Sequence, residues 1–283
     1  MQAQTTYAVK TLVEPILEYE YICYFSEGLA LVRNNFTERK VGFIDKTGKL
    51  VIPMNYEDET LRHRNAGYGM PPVFREGLMN LCKDGKYGFV DMKGNIVIPF
   101  DYDYAYGFLE GLAAVEKDGK WGFIGKAGKT ILPMEYDAVS GGFFDGLAPV
   151  KKNGKWGFID KTGTAVIPIE LEYDHVGPFF GEYATAANHN GGHPGFYWID
   201  KTGKAEKAPP FEEHDCRKGL VPMERDGKWG LEDRAAGDEG APLTVLPFEY
   251  ESVMLAYDEA VTDEWLMTVR QNGKWGIVEI TKI

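Results

Sequence analysis

Apolar residues along this chain come in short runs of alternating direction, divided by Gly, Pro, Asn and Asp. In Lys155–Asp160, Trp156 and Phe158 point to one side while Gly157 and Ile159 point to the other, the period-two pattern of a strand. In Leu147–Val150 both alternating sets are largely apolar, so both faces of the sheet need cover. Gly or Pro interrupts the runs about every eight residues, too often for helices that hold on their own. Asp84-Gly85, Asp118-Gly119, Asn153-Gly154 and Asp226-Gly227 suit the two φ > 0 positions of a type I′ hairpin turn. The predicted class is all-β, built of antiparallel hairpins.

The runs recur. Asn153-Gly-Lys-Trp-Gly-Phe-Ile-Asp-Lys-Thr-Gly163 is echoed by Asp118-Gly-Lys-Trp-Gly-Phe-Ile-Gly-Lys-Ala-Gly128 and Asp84-Gly-Lys-Tyr-Gly-Phe-Val-Asp-Met-Lys-Gly94. Weaker copies at Lys40–Gly48, Gly195–Gly203, Gly227–Leu231 and Gly273–Ile277 bring the number to seven. The residue after the aromatic falls at Gly42, Gly88, Gly122, Gly157, Tyr197, Gly230 and Gly276, at intervals of 46, 34, 35, 40, 33 and 46, a base period near 34 with insertions. Each full unit reads Phe, an acid, Gly-Leu, an apolar run, a hairpin turn, the Trp-Gly run, a Lys-Thr-Gly turn, then Val-Ile-Pro and Tyr-Asp. Such a period identifies a repeat architecture. On Trp121-Gly122, Trp156-Gly157, Trp229-Gly230 and Trp275-Gly276 the chain resembles the WG-repeat proteins over nearly its whole length. Val41, Tyr87 and Phe196-Tyr197 depart from the pair, which marks it as framework rather than chemistry. The resemblance implies repeats associated with binding.

Sheets buried on both faces fit radial blades stacked face to face, so the expected architecture is a seven-fold β-repeat array closed as a propeller-like ring. An open β-superhelix, or solenoid, is the alternative. Residues 1–283 are expected to form a single repeat domain. The last unit stops after Gly276-Ile-Val-Glu-Ile280 without its own Val-Ile-Pro, whereas Val13-Glu-Pro-Ile-Leu-Glu-Tyr-Glu20 resembles Val166-Ile-Pro-Ile-Glu-Leu-Glu-Tyr-Asp174. The N-terminal segment 1–24 is therefore expected to complete the last repeat and hide its sheet edge.

Charge narrows the choice of partner. Lys and Arg number 31 against 43 Asp and Glu, a net charge of -12, the wrong sign for binding nucleic-acid phosphates or anionic lipid. Cys23, Cys82 and Cys216 are far apart and without a CxxC pair, which fits neither a disulfide framework nor a zinc site. Met1–Tyr21 carries Lys10 as its only basic residue and no continuous apolar core, unlike a signal peptide. No run approaches the ~20 apolar residues of a membrane helix. The expected location is the cytoplasm, unless an export signal was removed ahead of residue 1.

Several motifs invite chemistry and have plainer readings. Gly125-Lys-Ala-Gly-Lys-Thr130 approaches a phosphate-binding loop, but Phe123 stands where the first glycine is needed, so a hairpin turn is expected. His189 and His193 flank Asn-Gly-Gly, a turn rather than a helical ligand pair, and His214-Asp-Cys216 lacks further ligands at metal spacing. Glu27, Glu76, Glu110 and Asp145 each precede a glycine. They would form a partial ring able to hold a cation or, the preferred reading, accept backbone N–H groups in their turns. The tyrosines of Tyr136-Asp137, Tyr173-Asp174, Tyr56-Glu57 and Tyr250-Glu251 would cradle choline or sugars or, as preferred, fill the core. No GxSxG elbow, Ser/His/Asp set or Cys/His set appears, so no enzyme activity, cofactor or metal is expected.

The expectation is a non-catalytic protein-binding scaffold whose acidic surface suits a basic client, as a toxin-neutralising or effector-associated partner. A carbohydrate- or cell-envelope-binding protein is the alternative, since the Asn-Gly-Lys-Trp hairpins are similar to repeats that bind cell-wall choline. Insertions fall in Thr60–Val73, Ala184–Pro194, Arg234–Pro242 and Ala256–Glu264, and strand order assigns the first, third and fourth to one end of the array. Turns vary freely where packed strands cannot, so the candidate binding residues are Arg62, His63, Arg64, Tyr68, Asp263, Glu264 and Trp265. Trp265 reads either as an exposed anchor or as a framework aromatic placed like Phe74.

Overall fold

The computed structural model describes residues 7–34, 39–58, 73–188, 195–207, 220–233, 243–255 and 264–282. Every regular element among them is a strand, and each of the seven repeats is an antiparallel meander of three or four strands. The chain divides into two compact units, one of residues 1–74, 92–94 and 214–283, the other of residues 75–91 and 95–213.

The second unit holds the four central repeats. They begin with Leu78–Lys83, Lys86–Asp91 and Ile96–Tyr102, and continue with Tyr104–Ala105, Leu112–Lys117, Lys120–Gly125 and Thr130–Tyr136. The next repeat is Ala138–Val139, Leu147–Lys152, Lys155–Asp160 and Ala165–Leu171, and the last is His175–Phe180, Tyr183–Asn188, Gly195–Asp200 and Ala205–Lys207. The repeat Ala138–Leu171 is buried on both faces by its neighbours, as the alternation requires. Val150 and Ile159 pack with Phe123, Leu132 and Tyr136 of the repeat before. Trp156, Phe158 and Ile167 pack with Val176, Phe179, Ala184 and Ile199 of the repeat after. The phenylalanine that opens each unit lands on the Trp-Gly strand of the one before it: Phe108 on Phe89 at 4.9 Å, Phe143 on Phe123 at 4.8 Å and Phe179 on Phe158 at 4.7 Å.

The first unit repeats this arrangement. Leu231 and Leu246 share a core with Val253, Met267, Val278 and Ile280, and Trp275 and Ile277 share one with Ile22, Phe25, Val32 and Ile44. Its C-terminal repeat, Ser252–Leu255, Glu264–Gln271 and Lys274–Lys282, takes its fourth strand from the other end of the sequence. Tyr7–Leu17 runs antiparallel to Lys274–Lys282, with Tyr7 opposite Lys282 and Leu17 opposite Trp275.

The Trp-Gly pair has a geometric cause. Opposite it the fourth strand bulges: Trp156 faces Leu171 and Phe158 faces Ile167, so two steps on one strand answer four on the other. The bulge carries the proline, which has no N–H to give, and drives the fourth strand onto the glycine. A Cβ on Gly157 would lie 2.6 Å from Ile169 Cα and 2.8 Å from Ile167 O. In the repeat where Tyr197 replaces the glycine, the register runs without a break through Tyr197–Lys207, Trp198–Glu206 and Ile199–Ala205. With no bulge there is room for a side chain.

Candidate functional site

The recurring charged residues of the central repeats are spent on joining one repeat to the next. At one end, each acid ahead of a glycine sits at positive φ, 54° at Glu76, 51° at Glu110 and 51° at Asp145, closing its own hairpin. Its carboxylate reaches forward to accept the N–H of the next repeat's turn: Gly111 on Glu76 at 3.1 Å, Gly146 on Glu110 at 3.2 Å and Gly181 on Asp145 at 3.1 Å. Lys126 and Lys161 close the same joints, each 2.9 Å from the carboxylate of Glu76 or Glu110. Burial raises the Glu76 pKa, but Lys126 and the Gly111 N–H outweigh it and hold the carboxyl below its usual range. These acids accept backbone N–H groups as expected, but from the turn of the neighbouring repeat and not from their own. Among the described residues no group of three or more His, Cys, Asp or Glu is placed to hold a metal ion.

The opposite end has a second set of joints, made by the aspartate of each Tyr-Asp linker. Asp103 binds Lys86 of one repeat and accepts the Asp118 N–H of the next at 2.7 Å. Asp137 binds Lys120 at 2.6 Å and accepts the Gly154 N–H at 3.3 Å. These contacts, the lysine first, hold both aspartates below the ordinary carboxylate range.

The third joint of that series differs. Tyr136 follows Pro133 by three positions, whereas Tyr173 follows Pro168 by five, and the extra length redirects the lysine. Lys155 Nζ lies 2.8 Å from Glu172, and the Asp174 N–H donates to Asn188 Oδ1 at 3.1 Å. Between the Asn153-Gly154 turn and this linker lies a cleft of about 500 Å³. Lys151, Asn153, Gly154 and Lys155 form one wall, and Glu172, Tyr173, Asp174 and Asn188 the other. Lys151 Nζ lies 5.5 Å from the ring of buried Trp156, and Tyr173 lies 5.4 Å from Tyr197.

Of the candidate binding residues, Arg62, His63, Arg64, Tyr68 and Asp263 lie outside the described residues, as do His189, His193, His214 and Cys216. Glu264 and Trp265 open the strand Glu264–Gln271, opposite Thr281 and Ile280. Trp265 is therefore a strand residue rather than a turn residue. It directly precedes Leu266, whose register opposite Glu279 matches that of Leu147 opposite Asp160, so it does not occupy the place of Phe74. Of the insertions, Ala184–Asn188 belongs to the strand Tyr183–Asn188, while residues 60–72, 189–194, 234–242 and 256–263 lie outside the described residues.

The remaining motifs are framework. Gly125–Thr130 is a hairpin turn closed by the Gly128 N–H on Gly125 O at 2.8 Å, and Tyr56 and Tyr136 are buried. In the Asp-Lys-Thr-Gly turn Asp160 Oδ1 accepts the Thr162 hydroxyl at 2.6 Å and the Thr162 and Thr164 N–H groups at 2.9 and 3.0 Å. Cys23 and Cys82 are buried and in no disulfide, and burial pushes the Cys23 pKa up. The sequence singles out Tyr173-Asp174 and the Asn153-Gly154 turn separately, with the core preferred for the tyrosine, but not their meeting across a cleft with Lys151, Lys155, Glu172 and Asn188. Their signal was the lengthened linker after Pro168, hidden inside the interval of 40 that the 189–194 insertion also swells.

A streptogramin B lyase is 13% identical over 98% of each chain, with a TM-score of 0.41. A eukaryotic initiation factor is 12% identical over 95% of this chain and 79% of its own, with a TM-score of 0.45. A catalytically inactive virginiamycin B lyase from Staphylococcus aureus is 14% identical over 98% of this chain and 100% of its own, with a TM-score of 0.39. These scores carry no argument about function. No curated protein matches the sequence. The model of the WG containing repeat matches residues 11–35, 42–58, 87–121, 121–156 and 156–190. With just over half of its 283 residues in those matches and the Trp-Gly glycine fixed by the bulge opposite it, the chain belongs to the WG-repeat family.

Proposed function

We propose that the protein is a non-catalytic scaffold that binds another protein. The observation that carries this reading is the use made of the repeated residues. Phe, Trp, Gly, Tyr, the turn acids and the lysines each serve packing or a joint between neighbours, so the motif leaves no recurrent group for chemistry. A rigid array with a net charge of -12 suits a basic client, since complementary charge speeds encounter; a toxin or secreted effector is one such client. The partner surface is assigned to the insertion-bearing end, through Arg62, His63, Arg64, Tyr68, Asp263, Glu264 and Trp265.

Affinity capture with the whole chain, followed by titration of the recovered protein, tests this. The expected partner is basic and associates more slowly as salt rises, and Arg64→Ala and Trp265→Ala weaken it while the melting temperature stays within a few degrees. Recovery of no protein above background counts against the scaffold reading. Full binding by both variants, with loss on changes in Ala184–Pro194, moves the surface elsewhere.

A further inference from the structure

The cleft at the third joint is a built feature with its own chemistry. Its lining pairs two ammonium groups, Lys151 and Lys155, with two carboxylates, Glu172 and Asp174. A compact anion entering it meets carboxylates, and a compact cation meets ammonium groups, so neither sign of ligand is favoured by the walls as a set. Asn153 and Asn188 each bring a carboxamide, which donates and accepts at once. A ligand that answers such a lining carries groups that also donate and accept, and hydroxyls do this. Tyr173 adds an aromatic surface, partly buried beside the Tyr197 ring. The volume of about 500 Å³ falls within the range of small-molecule sites.

The cleft is also held in shape before any ligand arrives. Asn153 and Gly154 stand at φ 53° and 78° in a closed hairpin turn, Gly154 is tied to Asp137, and Asn188 is tied to the Asp174 backbone. At the two preceding joints the linker aspartate itself bridges lysine and turn. We propose that the cleft between the Asn153-Gly154 turn and the Glu172–Asp174 linker is a binding site for a short neutral saccharide. This proposal does not rest on the protein-binding reading, and the two can fail separately.

The test uses the full chain labelled with ¹⁵N, with glucose, N-acetylglucosamine and cellotriose as probes and inorganic phosphate and a lysine dipeptide in parallel. Saturable amide shifts at Asn153, Gly154, Asp174 and Asn188 with at least one saccharide are expected, a longer response to cellotriose than to glucose marking a polymer rather than a free sugar as the source. Asn153→Asp keeps the turn, because Asp84, Asp118 and Asp226 hold the same place at φ 51–52°, and should weaken the saccharide at least fivefold with an unchanged melting temperature. Three results overturn the proposal: no shifts with any saccharide, shifts confined to other residues, or a response at these amides to phosphate or dipeptide alone. Undiminished binding by Asn153→Asp does so too.

Discussion

Two neighbouring repeats, Ala138–Leu171 and His175–Lys207, show what the Trp-Gly pair does. In the first, Trp156 and Phe158 are buried, the fourth strand bulges at Pro168, and Gly157 accepts the approach of that strand. In the second, Phe196 and Trp198 hold the equivalent positions but are 67% and 36% exposed, and the described fourth strand, Ala205–Lys207, pairs in unbroken register. Tyr197 replaces the glycine, and its ring joins the core on the side of Trp156 and Phe158. The glycine is thus a requirement of the bulge and not of the hairpin: where Val-Ile-Pro is absent, so is the need for it.

The comparison can be broken most severely by removing a fourth strand outright. Deleting Met1–Tyr21 takes away Tyr7–Leu17, the partner of Lys274–Lys282, and should abolish hydrogen-exchange protection at Gly273–Ile280 as well as weakening Ile22–Glu57. Full protection of Gly273–Ile280 in the truncated chain would show that a three-strand repeat suffices there too. Next in size is Trp156→Ala, expected to cost ~3–5 kcal/mol in denaturant unfolding without selective loss of binding, against less than ~1 kcal/mol for the exposed Phe196→Ala. Equal costs would mean the two positions are packed alike.

Gly157→Ala should cost ~1–3 kcal/mol by overpacking against Ile167–Ile169; thermal unfolding that shows no loss would mean the bulge leaves room for a side chain. The smallest effect is electrostatic. Asp137→Asn removes one joint between repeats and should cost below ~1 kcal/mol at neutral pH, as exposed pairs do. The folded Asp137 pKa lies below its ordinary value, so its contribution is full above about pH 4 and is lost as pH falls through the folded value. The variant should accordingly lose less stability than the parent between neutral pH and pH 3, and parallel acid limbs would sink this account.

Local chemistry made the hairpins legible in the sequence. Asp84, Asp118, Asn153 and Asp226 all take the positive φ that their Gly partners announced, and apolar alternation in Leu147–Val150 and Lys155–Asp160 located both buried faces of that repeat. The N-terminal strand could be matched to the end of the chain because Val13–Glu20 shares the pattern of the other fourth strands. What lay beyond reach were contacts between repeats. That Glu110 would tie Gly146 rather than its own turn depends on how far one sheet is displaced along the next, and no residue spacing encodes that displacement. The cleft depended on a two-residue lengthening in Glu170–Tyr173, which redirected Lys155 from the linker aspartate's role to Glu172. Its effect becomes visible only when three joints are compared.

The forward reach of these joints also bears on how such a chain changes over generations. Glu76 seeks the turn of the following repeat, and Glu110 seeks the same atom one repeat later. Donor and acceptor are thus supplied by every copy in the same relative places. Duplicating one copy of about 34 residues inside the central stretch would present each new neighbour with the groups it already expects, as nearest-neighbour stacking allows. An added copy would keep its joints with both neighbours, although the pairing of Tyr7–Leu17 with Lys274–Lys282 would have to accommodate it, whereas a repeat that has traded its glycine and its Val-Ile-Pro, as His175–Lys207 has, offers the next copy a different fourth strand.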